Sequence, residues 1–136
     1  MFLVRWSVAL FLTVSATDFV AAEEKPTIDL AGSLDDAALQ KSAPESGVIV
    51  SAKAWDALVK AWNLGDKLPK VDFDKEIIAV ATTVGSRLTF NPQVKDGDLK
   101  TVAIATRDLR PGFRYAIKSV KKEGVKTVNG KELPKE

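Results

Sequence analysis

A chain of 136 residues, 46% apolar and 28% charged, has the make-up of one globular domain with at most an appendage. Its formal net charge of +2 argues against electrostatically driven nucleic-acid binding. Cysteine and histidine are both absent, which excludes disulfides, thiolate zinc sites and cysteine nucleophiles, and removes the usual base of hydrolytic triads and the commonest transition-metal ligand.

Residues 1–22 read as a secretory signal peptide. Arg5 supplies a basic start, Trp6 to Val14 an apolar segment, and Val20-Ala21-Ala22 the small residues of a cleavage site before Glu23. Asp18 interrupts the segment, whose apolar run is far short of the ~20 residues that span a bilayer. The reading is therefore export to the periplasm or the cell exterior, with no membrane anchor once the signal is removed. Residues 23–46 read as an acidic flexible linker: six acidic residues (Glu23, Glu24, Asp29, Asp35, Asp36, Glu45) stand against Lys25 and Lys41, punctuated by Pro26 and Pro44.

The folded domain is expected over residues 47–134. Gly47 to Val50 reads as a short strand, and Ser51 offers the side-chain acceptor that opens a helix over Ala52 to Asn63. Trp55, Leu58, Val59 and Trp62 fall at helical spacing on one stripe, with Asp56 and Lys60 paired on the opposite face and Gly65 marking the stop. Two tryptophans on one face suit a core stripe better than a ligand platform. Val71 to Glu76 reads as an extended entry in which Asp72, Asp74 and Glu76 share one face. Their spacing lacks the glycine and regularity of a calcium loop, so no metal site is assigned.

Glu76 to Val84 is apolar or β-branched at every position after the glutamate, so it suits a strand covered on both faces at the centre of the fold. Gly85-Ser86-Arg87 breaks it. Asp96-Gly97 and Asn129-Gly130 are hairpin signals, and Pro111-Gly112 fits the central positions of a type II turn. Leu99 to Thr106 reads as a second strand apolar on both faces. Phe113 to Lys121 reads as a third, with Phe113, Tyr115 and Ile117 turned one way and Arg114 and Lys118 the other. Two hairpins and one amphipathic helix predict an α+β domain, the helix packed on an antiparallel sheet.

Chemistry-bearing clusters are few. Ser86 has no histidine to activate it, Gly85-Ser86-Arg87 lacks the spacing of a phosphate loop, and no residue set nominates a cofactor. The strongest charge asymmetry lies at the turns: Arg87, Arg107, Arg110 and Arg114, the last three around Pro111-Gly112. Arginines on loops can dock a carboxylate-rich protein through bidentate hydrogen bonds, or meet the chain's own acidic segment. Exposed Trp62, Phe90 or Tyr115 would instead favour a small-ligand or polysaccharide-binding module.

Val48-Ile-Val-Ser-Ala-Lys-Ala-Trp55-Asp-Ala-Leu58, followed by Pro69-Lys-Val-Asp72-Phe73-Asp-Lys75-Glu76-Ile-Ile, resembles the opening of the PrcB C-terminal-like domain. That family shows a Ser-x-x-x-Trp-x-x-Leu helix and a Val-Asp-Phe-x-Lys-Glu strand entry, and is named for a subunit of a bacterial surface protease complex. The resemblance covers about residues 48–121. Where the family carries a Thr-Gly-Gly-Tyr-like turn, this chain departs with Leu88-Thr89-Phe90-Asn91-Pro92. The tail from Pro111 to Gly130 resembles small exported proteins of planctomycete-type bacteria. The resemblance implies a secreted, non-catalytic accessory or protein-interaction domain, and it transfers no catalytic residue.

Overall fold

The two-faced run lies inside a sheet, as its composition demands. In the computed structural model, which describes residues 26–65 and 67–134, it forms β3 (Glu76–Thr83). With β1 (Asp29–Leu34), β2 (Val48–Ile49) and β6 (Phe113–Lys121) it makes an antiparallel sheet ordered β1–β6–β3–β2. A second sheet is ordered β4 (Leu88–Lys95), β5 (Asp98–Ala105), β7 (Thr127–Val128) and β8 (Lys131–Glu132). The expected α+β class holds, with two sheets in place of one. No helix among the described residues is long and apolar enough to cross a membrane.

Alternation along β3 divides the core. Ile78 and Val80 join Trp55, Leu58 and Trp62 of α1 (Ala52–Trp62), together with Ile28, Phe113 and Ile117. Ile77 and Ala79 turn the other way, toward Phe90, Leu99 and Val128 of the second sheet. Ile77, Ile78 and Ala79 are each 0% exposed, so both faces are covered. The helix starts as the sequence implies, with the Ser51 hydroxyl accepting from the Ala54 N–H at 3.2 Å. It ends earlier than Gly65: Asn63 takes the left-handed conformation (φ 49°), and the Leu64 N–H closes on the Val59 carbonyl at 3.0 Å. Asp96-Gly97 and Asn129-Gly130 adopt positive φ at both central positions, the type I′ geometry that matches strand twist. Gly112, at φ 71°, supplies the second central position of the Pro111 turn.

Three expectations need correction. Most of residues 23–46 belongs to the fold and is not a flexible linker. β1 pairs along its whole length with β6, Ile28 is 1% exposed, and a 3-10 helix (Ala37–Ser42) follows. The cause is a period-two pattern among the acids: Ile28, Leu30 and Leu34 pack toward α1, and Gly32 leaves room for the Tyr115 ring. The Trp62 indole N–H donates to the Leu39 carbonyl at 2.8 Å and pins the 3-10 helix. Secondly, β5 is not buried on both faces. Leu99 is buried, but Val102 and Ile104 on the outer face are 45% and 69% exposed, and Ala103 and Ala105 on the Leu99 face are exposed as well, because the covering layer does not reach that end of the strand. Thirdly, Asp72 to Glu76 is a turn, not an extended entry. The Lys75 and Glu76 N–H groups both donate to the Asp72 carbonyl, and the Asp72 carboxylate accepts from the Asp74 N–H. Its three acids therefore do not line up on one face. Residues 1–22, the expected signal peptide, lie outside the described residues, as do residues 23–25.

Candidate functional site

The segments carrying the nominated arginines leave the ends of β3 and β5, and the structure brings them together. Residues 84–87 and 106–110 are tied by a set of hydrogen bonds. The Arg110 N–H donates to the Val84 carbonyl (2.9 Å), the Thr106 N–H to the Arg87 carbonyl (3.2 Å), and the Arg87 N–H to the Thr106 hydroxyl (3.1 Å). Gly85 permits the approach: a Cβ there would stand 2.2 Å from the Thr106 carbonyl oxygen. Asp108 completes the tie. Its Oδ1 accepts from the Ser86 N–H at 2.9 Å and its Oδ2 from the Arg110 Nε at 3.3 Å. Hydrogen bonds from the Thr106 hydroxyl first, then from the Ser86 N–H and hydroxyl, hold the Asp108 carboxyl well below the usual carboxylate range.

Arg87, Arg107 and Arg110 are exposed on these tied loops. Among the described residues, the Arg110–Asp108 contact is the ion pair that engages them, and no ion pair joins them to the acidic segment before Gly47. Beside them lies the exposed part of β5. Its register with β4 turns the backbone groups of Ala103 and Ala105 toward the open margin of the sheet, beyond the reach of β7, which pairs with Asp98 and Leu99. Val102, Ile104 and Leu109 (82% exposed) add an apolar strip, and no charge falls between Lys100 and Arg107.

Arg114 is separated from this group. It lies on β6, one rung spanning Ser33, Arg114 and Thr83, and is half-buried with its Nη2 donating to the Pro111 carbonyl at 3.1 Å. It lines a different cleft with Ser33 and Ser86. Sequence reasoning grouped the four arginines because they cluster around turns; strand alternation at β6 is the signal that divides them.

The aromatic platform is corrected. Trp62 and Phe90 are 1% and 4% exposed, and Tyr115 stacks on Trp62 with ring centroids 5.3 Å apart. These rings hold the core. Asp98, outside the expected sites, carries a depressed pKa because the Gly130 N–H and then the Thr127 hydroxyl donate to it. It fastens the β7–β8 hairpin to β5. Among the described residues, no group of three or more acidic side chains could hold a metal ion. Compared with protein-family models, with curated proteins and with solved structures, the chain finds no match in any of the three.

Proposed function

We propose that this is an exported, non-catalytic protein-interaction domain, and that it takes an extended, acidic-flanked segment of a partner protein along the open margin of β5. The observation that carries this reading is the strip Val102–Ala105. It is apolar, exposed, unpaired at its margin among the described residues, and bordered by Arg87, Arg107 and Arg110. Natural sheets protect such margins with charges, prolines or bulges, and Val102 to Ala105 has none of these. An apolar centre with an arginine rim is the make-up of a recognition surface, and strand addition supplies main-chain hydrogen bonds. The sequence resemblance to the PrcB C-terminal-like domain over residues 48–121 supports the accessory role, and the residue pattern at 1–22 supports export. A photo-crosslinking amino acid placed at Ile104 in native cells is expected to capture a defined protein. The same group at Asp56, on the exposed helix face, should not. Charge reversal of Arg107 and Arg110 should remove the capture. Equal capture at both positions, or capture of this chain alone, would overturn the reading.

A further inference from the structure

We infer that the cleft between β1 and the β3–β4 turn is a carboxylate-binding site, with the Arg114 guanidinium as its anchor. This goes beyond the β5 margin and does not rest on it: Arg114, Ser33 and the small residues of β1 take no part in that margin, although Ser86 and Leu88 flank Arg87 of its rim.

The cleft, about 480 Å³, is lined by Ala31, Gly32 and Ser33 of β1, Ser86 of the β3–β4 turn, Leu88 at the start of β4, and Arg114 and Tyr115 of β6. It exists because the second sheet does not cover β1: Ala31 and Ser33 are exposed there, and β1 is the sheet's outer strand. Small side chains make its floor. Ser33, Arg114 and Thr83 share one rung, and the next rung with the same facing is Ala31, Ala116 and Ala81. A long cationic side chain therefore lies over a row of small ones. Gly32 is required on the other face, where a Cβ would meet the Tyr115 hydroxyl at 2.7 Å.

The electrostatics point to the ligand. The Arg114 Nε is shielded from solvent and has no hydrogen-bond partner among the described residues. A shielded donor on a charged group is costly to leave unmet, and native structures nearly always meet it. The acidic groups nearby do not meet it either, since Asp108 is committed to Ser86, Thr106 and Arg110. The Nε–H and an Nη–H of a guanidinium form a planar fork that matches the two oxygens of a carboxylate. The Ser33 hydroxyl on the same rung can donate to the same group. One cation with one hydroxyl suits a monoanion better than a phosphate dianion.

The test uses the ¹⁵N-labelled full chain and follows the Arg114 Nε–H resonance at constant ionic strength. Sodium acetate is expected to shift it saturably, with a Kd on the order of 1 mM for so small a fragment. N-acetyl-trialanine with a free C-terminal carboxylate, compared with its amide, separates the sources. Tighter binding than acetate, with the amide silent, assigns a peptide end; equal binding assigns a free small carboxylate. Ser33→Ala should weaken acetate severalfold and Arg114→Lys by about tenfold or more, since a lysine cannot form the fork. If Arg114→Lys does not fold, Ser33→Ala and the resonance itself decide the matter. A linear shift equal to that from chloride, phosphate binding at least as tightly as acetate, or no change in Ser33→Ala would overturn the assignment.

Discussion

Removing the Trp62 ring should loosen both the core and the N-terminal segment, and the two effects can be read separately. The ring is 1% exposed, tilted against Phe113 and Tyr115 with centroids 5.3 Å from each, and its N–H donates to the Leu39 carbonyl at 2.8 Å. Truncating a buried tryptophan to alanine costs ~3–5 kcal/mol. The two ring contacts, at ~0.5–1.5 kcal/mol each, and the hydrogen bond, at ~1 kcal/mol, place Trp62→Ala at the upper end of that range. That is a large share of the ~5–15 kcal/mol that stabilises a typical domain. Trp62→Phe keeps most of the apolar contact but leaves the Leu39 carbonyl without its donor, an expected loss of ~1–3 kcal/mol. Urea unfolding measures both, with an unchanged m-value showing that the folded state keeps its extent. Tryptic cleavage after Lys41 reads the segment directly, because Lys41 lies in the 3-10 helix that the indole pins. A loss below about 2 kcal/mol for Trp62→Ala, or unchanged cleavage after Lys41 in Trp62→Phe, would refute the reasoning.

Gly85→Ala should separate the tied loops, because its Cβ would meet the Thr106 carbonyl oxygen at 2.2 Å. Amide exchange at Arg87 and Arg110 should speed while Ile77 to Val80 stays protected, and protection retained at Arg110 would count against the tie. Gly112→Ala combines φ 71° with a Cβ 2.0 Å from the Leu34 carbonyl oxygen, so urea unfolding should show a loss of at least ~2 kcal/mol. Asp98 and Asp108 have folded pKa values below their unfolded ones, so each binds fewer protons folded than unfolded. Their stabilisation is present above the ordinary carboxylate value of about 3.9 and fades as pH falls below it. Asp108→Asn should therefore flatten the fall of Tm below about pH 4, and an unaltered slope would remove Asp108 from the account. Ile104→Lys, at an exposed position, should alter stability by no more than ~0.5 kcal/mol, a larger loss in urea unfolding meaning that the strip is packed.

Much of the central architecture was legible. Continuous apolar character placed β3 inside the sheet, helical spacing placed Trp55, Leu58 and Trp62 in the core, and Asp-Gly and Asn-Gly placed the hairpins. Each is a local rule acting at full strength. β1 was hidden because acidic composition and Gly32 masked the alternation of Ile28, Leu30 and Leu34. The same alternation, read before composition, would have found it. β5 was misread for a different reason. Its pattern records apolar character on both faces, but which face is covered depends on how far a partner layer extends. The candidate site was half visible: arginines near turns could be listed, but their division between an open loop and a cleft follows from the pairing of β6. Ser33 was missed altogether, since it gains its place only through its rung with Arg114.

The first strand of this protein closes against its last long one. The Ile28 N–H donates to the Ser119 hydroxyl at 3.0 Å across 91 residues, and the Ser119 N–H returns to the Ile28 carbonyl at 2.9 Å. Such a clasp cannot shut during synthesis until residues 113–121 have emerged, so Ile28, Leu30 and Leu34 wait without their partner strand. Distant pairing of this kind slows folding. The first sheet thus stays without its outer strand until β6 has been made.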